Sequence, residues 1–569
     1  MTIKKIKYSL WIENMEFIRK NNCFSSYLSL FLLGTILLFF RSAYSFITPY
    51  LYAEDGTWIF QIINDGFLHT FVNQRYFMTG YLILEEISIW INKLLFGYNL
   101  RYLPDVISVV SYSFHSAVAL MAFICLKQNL RTFPRYLMWL MILLMPTGNT
   151  GFEIFGRIMN YGYMFFFIAF ILVFYLIFNV SADTNKFKLA VIALILWICS
   201  TTNAASNIML AVGFFMDIAL QLSAKRREHS GCCSKWIYLK DLFGAFKNRL
   251  WLLLGIVCLI CFLYQAFAMQ LISGGSILHA PNPENNIAFF GRSILYYFTW
   301  PFYKNLNDGY VILMLVLFAM VSILAIIVSE KRIQTFYLFA GTLMIAIATF
   351  YMRPGLTFYL QGYQSTFPDR YYYVINLCAM VTIIYAGNCL NKCPALIFCK
   401  YYIYALLIFP ILYSPSAIFE FDKHIGFDTF YTQVWHGQKQ PDGSYRVNTN
   451  PKNWGITANE NYVFSTMANV RDYSTLESAK KFYTLLNDDT LHIAYDGDED
   501  SIWFAIWSKY NGQDDLVWVR ASSECKSGKL CYDLKLSAAK LLESPYYIHI
   551  YKGKEKPEKF LGALTTPER

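Results

Sequence analysis

The sequence predicts an all-α polytopic transmembrane protein of about eleven spanning helices, with helices lying on the membrane surface and a β-rich C-terminal domain. Three observations predict it. Of the 569 residues, 56% are hydrophobic, 18% aromatic and only 15% charged, well below the charged share of an ordinary soluble domain. Apolar stretches of about 20 residues recur through the first two thirds, each long enough to cross a bilayer as a helix. From 415 onward the composition turns polar, with "QKQPDGSYRV" and "YNGQDD" as turn signals between short strand-like runs such as "LVWVRA" and "YYIHIY".

The spans read as 27–47, 105–126, 135–150, 161–180, 187–202, 206–222, 250–272, 309–329, 334–352, 371–390 and 395–414. Basic residues then gather on one side: Lys4, Lys5, Lys7, Arg19 and Lys20; Lys127, Arg131 and Arg135; Lys186 and Lys188; Lys225 to Arg249; Lys331 and Arg332; and Lys392. The positive-inside rule makes that side cytoplasmic. The expected organisation is a cytoplasmic N-terminus at 1–26, a transmembrane module at 27–414 with a first external loop at 48–104, and an external β-rich domain at 415–569. No small-residue cleavage site follows the first span, which is expected to stay as a signal anchor. The net charge of +10 belongs mostly to the cytoplasmic loops, so it reads as orientation and not as nucleic-acid binding.

The first external loop carries the chemistry. In "LYAEDGTWIF" the adjacent acids Glu54 and Asp55 directly follow an apolar run. A carboxylate at the membrane boundary is costly and marks a functional candidate, although a role at a helix N-terminus is the plainer alternative. Residues 57–70 read as an amphipathic surface helix with Trp58, Ile59, Ile62, Ile63 and Phe67 in one stripe, and 80–96 as a second, with Glu85 and Glu86 expected in solvent or, as the alternative, one of them facing the cleft. Arg41, inside the first span, is expected to snorkel outward or to pair with an acid. His115 reads as a structural hydrogen-bonding group. Cys525 and Cys531 are close enough to form a short disulfide loop in an oxidising compartment. The other cysteines lack any zinc-ligand pattern, and "DGDED" at 496–500 lacks an ordered calcium loop.

This layout resembles the polytopic GT-C glycosyltransferases that use polyprenyl-phosphate sugars. "AEDG" at 53–56 followed by "GYL" at 80–82 resembles, more narrowly, the bacterial serotype-converting O-antigen glucosyltransferases of phage-borne conversion clusters. "PDRYYYV" at 368–374 and "NTNPKNWGI" at 448–456 resemble an Arg-Tyr motif and an Asn-Pro-x-x-Trp stretch of related enzymes; the tail beyond 460 has no counterpart in the resemblance.

The resemblance implies an inner-membrane hexosyltransferase acting at the periplasmic face. It would take glucose from undecaprenyl-phosphate glucose and place it on a sugar of the O-antigen, by direct displacement with inversion. A hydroxyl is a weak nucleophile, so Glu54 or Asp55 is expected to take its proton as general base. The leaving lipid phosphate needs cations, for which Arg370, Arg353, Arg75 and Lys304 are the candidates, with Tyr371 beside Arg370. Glu153 and Asn160, in "TGNTGFEIFGRIMNYGY", are candidate acceptor-cleft residues, with turn chemistry as the alternative. With side chains neutralising the phosphate, no metal or other cofactor is expected. The expected partners are the lipid-linked sugar, the O-antigen acceptor, the bilayer, and a lipid-glucose synthase with its flippase. Two alternatives stay open: a polyprenyl-dependent transferase with lipid A, teichoic acid or protein as acceptor, and a transporter of a lipid-linked sugar.

Overall fold

The computed structural model describes residues 25–73, 78–97, 99–145, 154–180, 184–228, 331–352, 370–390, 429–450, 454–459, 482–487, 489–495, 499–509, 512–521, 530–541 and 545–566, with short pieces within 259–328, 401–408 and 462–466. These residues form two compact units. One draws on Met1–Ala43, Asn73–Leu84 and Val109–Lys423, the other on Tyr44–Val72, Glu85–Ser108 and His424–Arg569.

Helices make up the first unit and the segments that Tyr44–Val72 and Glu85–Ser108 give to the second. Helix α1 runs over Ser25–Arg41. A two-residue turn separates it from α2 (Tyr44–Ile47), where hydropathy alone reads one span to 47. In chain order follow α3 (Glu54–Asp65), α4 (Phe67–Asn73), α5 (Thr79–Phe96), α6 (Leu103–Cys125), α7 (Thr132–Leu144), a 3-10 turn at Met159–Tyr161 and α8 (Gly162–Phe178). Next come α9 (Lys186–Ser200), α10 (Ala204–Glu228), α11 (Arg332–Met352) and α12 (Arg370–Cys389). Helix α7 stops six residues before the span read from hydropathy. Met145 precedes a proline, which disfavours helical backbone at the preceding residue, and Met145 sits at φ −53°, ψ 122°.

Among the described residues two helices are long and apolar enough to cross a membrane, Leu103–Cys125 and Met159–Phe178, with shorter apolar helices at Ser25–Arg41, Thr132–Leu144, Ala205–Leu220, Arg332–Ile347 and Tyr373–Cys389. Eleven spans are therefore not established. Most of the stretches at 250–272, 309–329 and 395–414 lies outside the described residues.

Helix α8 is apolar all round and is the centre of its unit; residues 164–174 are buried without a break. Glycines on its neighbours let the backbones come close. A Cβ on Gly80 would lie 2.3 Å from Phe165, on Gly213 2.1 Å from Val173, and on Gly341 2.9 Å from Phe170. The loops read as cytoplasmic meet at one end of the unit. Asn179 Nδ2 donates to Cys125 O (2.9 Å) and Asn129 Oδ1 (2.7 Å), while Asn129 O accepts from Asn388 Nδ2 (3.1 Å) and Lys331 Nζ (3.4 Å).

The second unit joins the first external loop to the tail, although composition places a boundary at 415. The composition change marks where apolar spans end; pairing decides which segments fold together. Here Phe430 N donates to Pro49 O (2.8 Å), Asn64 Nδ2 to Thr457 O (2.9 Å) and Leu100 N to Thr466 Oγ1 (3.0 Å). The tail contains α13 (Phe430–Trp435) and three antiparallel sheets. Strands β1 (Gln438–Lys439), β2 (Tyr445–Thr449) and β3 (Trp454–Ala458) lie in that order. A second sheet is built from β4 (Phe482–Asn487), β5 (Thr490–Tyr495) and β8 (Leu530–Lys535). The third has the order β10 (Lys559–Thr565), β9 (Tyr546–Lys552), β6 (Ile502–Ser508), β7 (Val517–Arg520). The short helix α14 (Leu536–Ala539) follows β8.

Alternation sorts the four-stranded sheet. Ile502, Phe504, Ile506, Ile548 and Ile550 are buried on one face. The other face carries an aromatic row: Trp518–Tyr551 (5.2 Å between centroids), Tyr551–Phe560 (5.4 Å), His549–Phe560 (5.2 Å) and Trp507–His549 (4.5 Å). Trp518 is 43% exposed. Cys531 is disulfide-bonded; Cys525 lies outside the described residues.

Candidate functional site

The acidic pair opens α3. Three residues earlier than the amphipathic pattern suggests, the chain turns at Ala53, whose φ of 47° and ψ of −127° are a conformation that glycine usually supplies. The turn is held from the tail. Ala53 N donates to Asn450 O (2.5 Å), Asn450 N donates back to Leu51 O (3.3 Å), and Tyr52 and Asn450 form a parallel bridge. "AEDG" and "NTNPKNWGI", far apart in sequence, thus meet at this point; Pro451, Lys452 and Asn453 lie outside the described residues. Gly56 continues the contact. A Cβ there would lie 3.3 Å from Ile456 Cγ2 and 3.4 Å from Thr449 Cγ2, so the first turn of α3 rests on the β2–β3 hairpin.

Both acids stand in the first turn of α3, where free backbone N–H groups favour negative charge. Their surroundings differ. Asp55 is 1% exposed, whereas Glu54 is half-buried. The expected stripe over 57–70 is broken: Gly66, at φ 87°, ends α3, and the buried positions are Asp55, Gly56, Ile59, Phe60 and Ile62. Trp58, Ile63 and Phe67 are only half-buried.

Backbone strain at Ala53 has a measurable consequence. Ala53→Gly is expected to raise stability by about 1 kcal/mol, because glycine adopts this conformation without a Cβ clash. Thermal unfolding of the purified protein checks it, and a lower midpoint would show that Ala53 is unstrained.

Of the two readings of Glu85, solvent exposure is the one that fails. Glu85 is 0% exposed, not solvated, and neither carboxyl oxygen has a hydrogen-bond partner among the described residues. Burial first, and then the neighbouring Asp55 charge, push its carboxyl well above the usual carboxylate range. An unsatisfied buried polar group costs about 1–3 kcal/mol. The signal was present in the sequence: Met78, Leu82, Glu85, Ser88 and Asn92 recur at three- and four-residue intervals and are all buried, while Glu86 is half-buried.

The first unit holds a second polar cluster. Arg41 does not snorkel, nor is it exposed: it is 1% exposed, its guanidinium donates to Leu143 O and Met145 O, and it lies 4.1 Å over the Phe155 ring. Those carbonyls end α7, where no intrahelical donor remains, so a cation caps them. His115 Nε2 is 3.1 Å from Ile142 O, an acceptor only, so that nitrogen carries a proton. Its Nδ1 is 3.4 Å from Tyr161 Oη, and Tyr373 Oη is 3.4 Å from Nε2. Tyr373, the third tyrosine of "PDRYYYV", and Tyr161, next to Asn160, are thereby brought to one histidine. Asn160 is buried in the 3-10 turn, and Arg157 beside it donates to Gly156 O (3.0 Å).

Arg370 and Tyr371 begin α12, and their side chains lie outside what the structure describes, as do Arg75, Glu153, Lys304 and Arg353 altogether. Of the sequence candidates, the structure therefore joins Glu54 and Asp55 to the tail hairpin and places Asn160 beside the His115 cluster. Glu85 and Arg41 are the additions.

Comparison with known proteins gives two results. Residues 492–566, which include the aromatic sheet face, match the family model described as the GBS Bsp-like repeat. The chain is similar to the apo crystal structure of an oligosaccharyltransferase from Archaeoglobus fulgidus, at 12% identity and a TM-score of 0.39, over 73% of this chain and 58% of that one. It thus spans less than two thirds of that protein's length. No curated protein matches.

Proposed function

We propose that this chain is an inner-membrane glycosyltransferase that moves glucose from undecaprenyl-phosphate glucose onto a sugar of the O-antigen at the periplasmic face. The observation that carries the reading is the enclosure of Asp55 at the start of α3, at a turn pinned by Asn450. An acid held this way is pre-positioned, and a fixed base is what a weak hydroxyl nucleophile requires.

In the proposed step Asp55 takes the proton of the acceptor hydroxyl as its oxygen attacks the anomeric carbon. The bond from that carbon to the phosphate oxygen breaks, and the electron pair leaves with the lipid phosphate. Arg370, Arg353, Arg75 and Lys304 are proposed to neutralise that phosphate, with Tyr371 and Glu153 lining the cleft and Asn160 beside the acceptor. Cations on the leaving phosphate make a metal unnecessary to the scheme. The synthase and flippase that supply the lipid-linked glucose are the proposed functional partners, and the bilayer is the medium.

Mass spectrometry of lipopolysaccharide from cells with and without the gene tests the reading. An added hexose is expected; an unchanged glycan overturns it and favours another acceptor or transport.

The aromatic sheet face is proposed to hold the acceptor glycan, since ring faces stack on sugars and Trp518 is open. Trp518→Ala with Tyr551→Ala is expected to raise the KM for acceptor by about tenfold, the equivalent of 1.4 kcal/mol, with the KM for donor unchanged. Equal acceptor KM in the double variant would remove this role. Trp454 is half-buried in β3, and the Trp435 side chain lies outside the described residues.

A further inference from the structure

Glu85 is the side chain whose burial the fold explains least. It is fully enclosed on α5, with both carboxyl oxygens lacking a partner among the described residues. An apolar side chain of similar length would fill the same place without that penalty. Stability therefore gives no reason for a carboxyl here, and such an orphan in a native structure calls for another account. Its one identified electrostatic neighbour is Asp55.

Resting on the sugar-transfer reading, we propose that Glu85 is a further catalytic residue, whose carboxyl hydrogen-bonds a hydroxyl of the sugar bound against Asp55. A sugar carries several hydroxyls on adjacent carbons, so one can give its proton to Asp55 while its neighbour engages Glu85. The two acids differ in task because they differ in charge. Burial and the Asp55 charge keep Glu85 protonated where an ordinary carboxyl has ionised, so it has an O–H to donate and adds no repulsion beside Asp55. Its proton stays in place through the step. The proton that moves is the one on the attacking hydroxyl, and it goes to Asp55.

The test uses the full chain in proteoliposomes, with undecaprenyl-phosphate glucose labelled in the sugar as donor and lipid-linked O-antigen as acceptor. Glu85→Leu removes the hydrogen-bonding group and the buried acid together. It is expected to lower kcat/KM by about 100-fold while raising the thermal midpoint. Glu85→Gln keeps a donor and an acceptor in place. It is expected to retain transfer within about threefold of the wild type.

Wild-type kinetics in Glu85→Leu overturn the proposal. If that variant does not fold, a loss of transfer far beyond threefold in folded Glu85→Gln overturns it instead. No transfer by the wild type overturns the sugar-transfer reading, and this proposal with it, whereas transfer by the wild type that survives in Glu85→Leu overturns this proposal alone.

Discussion

Asp55→Asn is expected to lower glucose transfer by about a thousandfold while leaving the protein folded and at its normal level in the membrane. The amide matches the carboxylate in shape and can still sit at the start of α3, and the neighbouring contact of Gly56 with Thr449 and Ile456 is untouched. What it lacks is a basic oxygen and a negative charge. The first is needed to take the acceptor proton, the second to stabilise the oxocarbenium-like transition state. Glu54→Gln is expected to cost about tenfold or less, because Glu54 is half-buried and Asp55 is enclosed. The two acids are neighbours in sequence, yet successive residues on a helix point about 100° apart, so only one is turned into the protein. Initial rates in proteoliposomes, with lipopolysaccharide mass spectra from complemented cells, decide the matter. Wild-type rates from Asp55→Asn would exclude it as the base; a larger loss in Glu54→Gln would move that role one residue back.

What the sequence disclosed, and what it hid, follows from the range of the interactions involved. Helices α6, α8, α9, α11 and α12 begin within two residues of the hydropathic reading, because a continuous apolar run is a local signal. Strands at 517–520 and 546–552 were legible as short β-branched and aromatic runs for the same reason. The acids of "AEDG" stood out as charges beside an apolar run. Their partner did not: nothing within ten residues of Asn450 says that its carbonyl meets Ala53, some 400 residues away. The joining of the first loop to the tail is hidden for the same cause. For Glu85 only the solvated alternative fails: an adjacent pair of glutamates looks like a solvated face, when the buried stripe from Met78 to Asn92 already ran through the first of them. Arg41 does not snorkel because the carbonyls it caps, which exist only once α7 ends at Met145, hold it inside. For Arg75, Glu153, Lys304 and Arg353, which lie outside the described residues, the sequence remains the whole basis.

The second large effect lies in packing. Gly80→Leu is expected to destabilise the protein by about 3 kcal/mol and to deplete it from membranes. A Cβ on Gly80 would fall 2.3 Å from Phe165 Cζ and 2.7 Å from both Cε atoms, well inside contact distance. The ring has no room to yield: Phe165 is buried, and Phe114 lies 5.2 Å away, centroid to centroid. The contact is reciprocal, since Gly162 at the start of α8 leaves the place that the Tyr81 hydroxyl takes, 1.4 Å from where a Cβ would stand. Gly80 and Tyr81 open the "GYL" stretch, so its glycine is explained by the close approach of α5 to α8. A shift of α5 would also carry Glu85, five residues further along the same helix, away from its position. Thermal unfolding in detergent measures the loss, and a compensating change separates overpacking from other causes. Gly80→Ala combined with Phe165→Leu trades ring volume for the new methyl, and is expected to recover most of the midpoint lost in Gly80→Ala alone. An unaltered midpoint in Gly80→Leu would mean that Phe165 moves aside freely, and that close packing at Gly80 does not hold α5 in place.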